Sequence, residues 1–288
     1  MKQQFKTIKL KPDSIALIES CNDIIDEYLA DGFRLTLRQL YYQLVSRNTI
    51  TNEEKSYKKL SSMISNGRLA GLVDWDAIED RVRQPRSQSE FSDLEDLVEA
   101  AIRSYRLPRW EGQEYYAELW VEKDALAGVL TPLARQFHVT LMVNRGYSSQ
   151  SAMYESAQRF LNSGRSPLLF YLGDHDPSGE DMVRDIRDRL IMFGVDDIDV
   201  QKLALTMDQI QQYNPPPNPA KVDDPRAAAY IELHGASSWE VDALPPTVLN
   251  EIIRNAFESV IDQDLMDDII AREEEDKEKL TEVAKGGD

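Results

Sequence analysis

The sequence predicts an α/β protein in two parts: an N-terminal winged helix-turn-helix domain followed by a domain built on a parallel sheet. Three observations carry this. Short helical segments fill residues 13–69 and lead into a Gly71, Asp74-Trp75-Asp76 stretch. From Glu114 onward apolar strand-like and helical segments alternate, which implies parallel strands joined by crossover helices. Three of those strands end in polar or charged residues, Glu122, Arg145-Gly146-Tyr147 and Asp174/Asp176, where functional sites of such sheets lie.

In the first part, Ile15, Ile18, Cys21, Ile25 and Leu29 recur at three- and four-residue spacing and predict a helix over 13–30. Asp31-Gly32 ends it. Thr36 is the N-cap of a second helix, Leu37 to Ser46. A third runs from about Asn52 to Leu69 and closes at Asn66-Gly67-Arg68. Residues 69–82 read as a turn, a β-wing and a connection. Helices followed by a wing give the order of a winged helix-turn-helix domain. Residues 83–92 read as an exposed linker, followed by a helix from Leu94 to Tyr105.

In the second part the predicted strands are Tyr115–Val121, Val139–Val143, Pro167–Leu172 and Asp199–Leu205. The predicted helices between them are Ala125–Gln136, Ser149–Leu161 and Gly179–Phe193. Residues 206–230 include a rigid exposed loop, Asn214 to Pro219. A helix near Thr247–Ile261 follows Pro245-Pro246. Beyond Asp262 the acidic tail fits either an exposed helix or disorder. The expected domains are thus 1–105, 106–261 and a tail over 262–288.

The 288 residues carry a net charge of −18. Residues 1–110 are neutral, and the acidity is concentrated towards the C-terminal end. The overall charge opposes tight non-specific DNA binding, while local basic faces remain open to it. No apolar run is long enough to cross a membrane, and Met1 to Lys6 lacks the apolar stretch of a signal peptide. A cytoplasmic location is expected. Cys21 is the only cysteine, and His138, His175 and His234 are dispersed, which argues against a zinc site.

Phe170-Tyr171-Leu172-Gly173-Asp174-His175-Asp176-Pro177-Ser178-Gly179 is the most informative stretch. An apolar strand runs into Asp174 and Asp176. Alternate residues of an extended chain point the same way, so the two carboxylates suit one Mg²⁺, which prefers oxygen ligands. A solvated turn explains the same residues. Glu122, at the end of another strand, adds a third carboxylate. His175 points away from both aspartates and reads as a surface or packing residue. Glu180 and Asp181 favour the helix dipole. Lys123 suits a phosphate or a nearby acid equally well. Glu240 and Asp242 read as outer ligands of the site or as solvated residues at a helix entry.

Leu37, Leu40, Tyr41 and Leu44 form a core-facing stripe. Tyr42 lies off it, one helical turn from Arg38. A guanidinium beside a phenol can hold a phosphate and stabilise the phenolate of a nucleophile. By spacing alone, a partly exposed aromatic with a cation–π neighbour is the simpler reading.

Leu37-Arg38-Gln39-Leu40-Tyr41-Tyr42 resembles the active-site tyrosine motif of the A subunit of topoisomerase VI and the related meiotic double-strand-break proteins. Val121-Glu122-Lys123 and Leu172 to Gly179 resemble the glutamate and Asp-x-Asp-Pro-x-Gly motifs of that family's Toprim domain. The resemblance spans about residues 10–260. It implies a winged helix followed by a Rossmann-like Toprim domain, and strand cleavage of double-stranded DNA through a 5′-phosphotyrosyl link. Tyr42 would be the nucleophile and Arg38 the phosphate clamp. Glu122 would serve as metal ligand or general acid/base, with Asp174 and Asp176 as ligands of Mg²⁺ (or Mn²⁺). It also implies a homodimer in which Tyr42 of one protomer meets the acids of the other, and an ATPase (B-type) subunit as partner. The chain has no Gly-rich ATPase module of its own, and its acidic tail is outside the family pattern, so it resembles a short stand-alone relative. Hydrolysis by metal-activated water and a non-catalytic DNA-binding or assembly role are the alternatives. On the third helix, Lys55, Lys58, Lys59 and Arg68 are the candidate DNA contacts, or simply a solvated face.

Overall fold

The computed structural model describes residues 2–32, 34–78, 90–144 and 146–285. The chain begins with three helices, α1 (Pro12–Ala30), α2 (Leu37–Ser46) and α3 (Glu54–Leu69). Proline at the first position starts α1, where its missing N–H costs nothing. Thr36 starts α2 through a reciprocal capping box with Gln39. Ile18, Cys21 and Ile25 of α1, Leu40 and Leu44 of α2, and Leu60 and Ile64 of α3 meet in one core. Each such fully buried aliphatic side chain contributes about 1.5–3 kcal/mol.

The expected wing is not seen as strands. Up to Ile78 the segment carries only isolated bridges, Gln4 with Ala70 and Leu35 with Ile78. The rest of the wing and most of the expected linker, residues 79–89, lie outside the described residues. α3 starts at Glu54 rather than Asn52 because Asn52 is otherwise engaged. Its amide nitrogen donates to Pro217 O at 3.1 Å and Asn218 Oδ1 at 2.8 Å, and its Oδ1 accepts from the Tyr41 hydroxyl at 3.0 Å. Helix α4 (Leu94–Ser104) follows.

The second part has a four-stranded sheet of β1 (Tyr115–Val121), β2 (Thr140–Val143), β3 (Ser166–Leu172) and β4 (Asp199–Ala204), in the order β2-β1-β3-β4. All neighbours are parallel. The crossovers are α5 (Asp124–Phe137), α6 (Gln150–Ser163) and α7 (Pro177–Met192). Alternation along the strands sorts side chains onto two faces. Leu119, Val121, Phe170 and Leu172 pack with Leu126 and Leu130 of α5. Trp120, Leu169 and Tyr171 pack with Met153 and Phe160 of α6 and Met182 and Ile186 of α7. One charge enters this second core. Glu118 is fully buried and receives Arg159 at 2.7 and 2.9 Å and the Trp120 indole N–H at 2.7 Å.

Residues 206–230 hold elements on both sides of the proline loop. They hold α8 (Met207–Tyr213), started by a capping box of Thr206 with Gln209, then β5 (Asn218–Pro219) and the start of α9 (Ala227–His234). Pro215 and Pro216 are buried, contrary to the expected exposure, and β5 pairs antiparallel with β6 (Ser237–Ser238). A 3₁₀ turn (Val241–Ala243), α10 (Pro246–Glu258) and α11 (Gln263–Lys285) complete the chain. Among the described residues, no helix is long and apolar enough to cross a membrane.

The acidic tail is the helix α11, and it is anchored. Met266 and Ile269 are buried. Glu273, fully buried, accepts from the Leu107 N–H at 2.9 Å, from Arg109 at 2.9 Å and from Lys277 at 2.8 Å. Burial pushes its carboxyl up, but Arg109, Lys277 and the Leu107 N–H outweigh burial and hold it at about 2. Replacing Glu273 by alanine leaves Arg109 without its buried partner and should cost about 3–5 kcal/mol in denaturant unfolding. Because the folded carboxyl titrates below its ordinary 4.5, its contribution is complete above that pH and is lost as pH falls towards about 2. The stability gap between wild type and Glu273→Gln should close across that acid window.

Candidate active site

The site is built where β1 and β3 run out side by side. The Glu122 N–H still donates to Leu172 O at 2.9 Å, so Glu122 continues the register of β1. β3 stops at Leu172, and the next residues turn across the sheet's carboxyl edge. There the Asp174 backbone N–H donates to Glu122 Oε2 at 3.1 Å, which sets the Glu122 carboxylate against the turn, near enough for its charge to raise the Asp174 carboxyl. Gly179 lets α7 close on this turn: a Cβ there would lie 2.2 Å from Asp174 O.

Asp176 has a different job from the one its spacing suggested. Because β3 ends at Leu172, strand alternation does not govern residues 174–176. Asp176 is the N-cap of α7, its Oδ1 accepting from the Gly179 N–H at 2.7 Å and the Ser178 hydroxyl at 2.9 Å. Its other oxygen lies 3.6 Å from Lys221. Among the described residues, Glu122, Asp174 and Asp176 do not form a group with all ligand atoms within 4.8 Å of one another. A hard cation here would be held by Glu122 and Asp174 and otherwise by water, the usual arrangement for an ion that keeps much of its hydration.

A second segment completes the site. The backbones of His175 and Trp239 pair in both directions, at 2.8 and 2.9 Å. This pairing lays Glu240 and Asp242 against the turn, and the Val241 N–H donates to Asp174 Oδ1 at 2.9 Å. The segment also bridges the two cores: Val241 and Leu244 pack on the sheet and Ala243 on the helical domain.

Lys123 sits in the middle. Its ammonium lies 3.0 Å from Asp174, 2.8 Å from Glu240 and 2.9 Å from Asp242. From α2, Arg38 donates to Glu240 at 2.7 Å and lies 3.5 Å from Asp242. Tyr42 donates its hydroxyl proton to the same Glu240 oxygen, with Arg38 3.4 Å from the phenol oxygen. Three donors, Arg38, Tyr42 and Lys123, therefore converge on one carboxylate oxygen. Tyr42 is only 4% exposed, not partly exposed as its place off the helix stripe suggested. A cleft of 210 Å³ between Arg38, Tyr41, Tyr42, Asn52, Glu54 and Tyr57 opens beside it.

Carboxylates outnumber cations here: Glu122, Asp174, Glu240 and Asp242 face Lys123 and Arg38. The excess is felt unevenly. Burial, reinforced by Glu122 and Asp242, pushes the Asp174 carboxyl up to about 7 despite Lys123. Asp242, completely enclosed, is also pushed up by burial, and its Oδ2 has no hydrogen-bond partner. Glu240 is held down at about 2 because Lys123, Tyr42 and Arg38 outweigh its burial. Burial, Asp242 and Glu240 raise Tyr42 well above an ordinary phenol, overcoming Arg38. The site therefore holds more acids than the two cations that bridge them, Lys123 and Arg38.

The remaining predicted residues lie apart. Lys55, Lys58 and Lys59 are exposed on α3, with Lys58 paired to Glu54 at 2.7 Å. Arg68 turns inward instead: it donates to Ile78 O at 2.6 Å and Trp75 O at 3.1 Å and stacks on the Trp75 ring. Arg145 lies outside the described residues, while Tyr147 is fixed to α7 through Asp181 at 2.9 Å. His175 is buried rather than at the surface, and its ring is bonded to Tyr230 at 2.7 Å.

Neither a scan against protein-family models nor a search of curated proteins finds a match for this chain. Its site therefore has to be read from its own chemistry.

Replacing Lys123 by alanine removes the shared partner of three acids. A loss of about 3–5 kcal/mol in unfolding free energy is expected. Asp242→Asn in the same background should restore part of it, a coupling that a double-mutant cycle measures.

Proposed function

We propose that this chain is a Mg²⁺-dependent DNA strand-cleaving protein of the topoisomerase VI A kind, with Tyr42 as nucleophile. The observation that carries this reading is the convergence of Tyr42, Arg38 and Lys123 on one oxygen of Glu240, beside Glu122 and Asp174. Those three donors are the set a scissile phosphate needs: two cations for its charge and a hydroxyl to attack it. Glu240 holds their place. When a phosphate engages Arg38 and Lys123, Glu240 loses the cations that keep its carboxyl low, and it becomes a better acceptor for the proton it already shares with Tyr42.

In the reaction, the Tyr42 oxygen forms a bond to the phosphorus and the bond to the 3′-oxygen breaks. The electron pair leaves with that oxygen, which takes up a proton to give a 3′-hydroxyl. Glu122 and Asp174 would hold the metal, which supplies charge stabilisation for the attacking and leaving oxygens. Asp176 positions the turn by capping α7, and Lys55, Lys58 and Lys59 offer a basic face to the duplex backbone. In this reading the groups of one cleavage centre come from a single protomer, linked through Glu240 and Lys123, and a homodimer would cut both strands. An ATPase (B-type) subunit would be the partner for strand passage.

One observation favours a second reading. Tyr42 is buried and its phenol strongly protonated, which suits a metal-activated water as the nucleophile instead. Incubating the protein with supercoiled plasmid and Mg²⁺ or Mn²⁺, then running a denaturing gel, separates the two. We expect a covalent protein–DNA adduct that is lost in Tyr42→Phe, with nicking lost in Asp174→Ala. Nicking that survives Tyr42→Phe but requires Glu122 would establish hydrolysis. Nicking unaffected by Asp174→Ala would remove the site from the reaction.

A further inference from the structure

A second cluster of ligating side chains lies on the far side of the same turn. His175, Glu180 and His234 each offer one ligand atom, all within 4.8 Å of one another. They come from three places: the site turn, the first turn of α7 and the last turn of α9. The histidines, 59 residues apart in sequence, have ring centroids 4.8 Å apart and planes nearly perpendicular. The sequence argument against zinc thus fails at this point, because the fold reunites what the chain disperses.

The protonation of His175 is fixed by its neighbour. The Tyr230 hydroxyl lies 2.9 Å from His175 O and 3.1 Å from Ser237 O, both of which can only accept. Its single proton points to those carbonyls, so towards His175 Nδ1, at 2.7 Å, the phenol oxygen accepts. The two carbonyls around that hydroxyl favour the tautomer of His175 protonated on Nδ1. Nε2 is left with a lone pair facing Glu180 Oε1 at 3.8 Å, beyond hydrogen-bond reach. An imidazole that donates from one nitrogen to an oriented oxygen and leaves the other bare is in the state metal ligation requires. Tyr230 and His234 are four residues apart on α9, so the residue that orients one ligand and the second ligand share a helix face.

We propose that His175, Glu180 and His234 form a zinc-type transition-metal site, distinct from the carboxylate site, with water completing the coordination. Two imidazoles and a carboxylate select zinc, cobalt or nickel over magnesium. Bonds near 2.0–2.2 Å place tetrahedral ligand atoms about 3.3 Å apart. The partly open His234 and Glu180 can close that gap, while His175 is pinned by its backbone pair with Trp239. Lys202, now 2.6 Å from Glu180 Oε1, holds one carboxylate oxygen, and the metal takes the other or displaces it. Ligation would tie α9 to the residue between Asp174 and Asp176, so metal binding would stiffen the turn that carries the candidate active site.

The test uses the full chain stripped with chelator, dialysed against micromolar zinc and assayed for bound metal by mass spectrometry. Cobalt is then substituted to report geometry by its visible absorption. We expect one zinc per chain and a tetrahedral cobalt spectrum, both lost in His234→Ala, whose fold is checked by circular dichroism. Tyr230→Phe keeps every ligand but frees the His175 tautomer, and should weaken zinc binding about 10–100-fold. The double variant Glu122→Gln, Asp174→Asn should keep the cobalt spectrum, which separates this site from the carboxylate one. A wild type that retains no stoichiometric zinc, or a His234→Ala protein that binds as tightly as wild type, overturns the proposal.

Discussion

Lys123 is the point on which the rest of the molecule turns. It follows the last residues of β1, so the sheet fixes where its ammonium can reach. Within that reach lie Asp174 from the turn after β3 and Glu240 and Asp242 from a segment more than a hundred residues away. Neither acidic segment would be stable at the buried carboxyl edge of the sheet without a cation between them. The same contacts make the segment around Glu240 a bridge, because Glu240 also receives Arg38 and Tyr42 from α2. The arrangement of helical domain on sheet and the composition of the site are therefore one electrostatic solution.

That solution is incomplete by design of its charges. Four carboxylates face two cations, and the shortage appears as an aspartate with a raised pKa and a buried oxygen that receives no hydrogen bond. A fold optimised only for stability would replace such groups by apolar ones. Their retention at a strand-end turn fits the proposed role as a centre that takes up positive charge and then phosphate.

Much of this was legible in the sequence. The strands and crossover helices follow from alternation of apolar segments, and the structure has them within a few residues of the expected limits. Glu122 and the turn that carries Asp174 are neighbours because the sheet fixes where its strands end, and the Asp174 N–H bonds the Glu122 carboxylate. What failed depended on non-local contacts. Asp176 became a helix cap because the strand stopped two residues before the aspartates began. Tyr42 became buried because residues 240–243, far along the chain, cover it. The proline loop folded inward because Asn52 holds it, and α8 and α9 were missed because one is short and the other, rich in alanine, has little amphipathic pattern. Glu240 and Asp242 did show a signal, two acids just ahead of Pro245-Pro246 that read as outer ligands of the site, and a 3₁₀ turn over Val241–Ala243 sets them there. The pairing of His175 with His234 left none, since only the fold makes them neighbours.

The Asn52 contacts have a mechanical consequence. This one side chain clasps Tyr41 beside the candidate nucleophile and the backbone and side chain of the Pro217-Asn218 loop. β5 joins that loop to Ser237-Ser238, immediately ahead of the segment that covers Tyr42. The cover is consequently tied to the start of α3 through one side chain, so a change at Asn52 would be felt in the segment that lies over Tyr42.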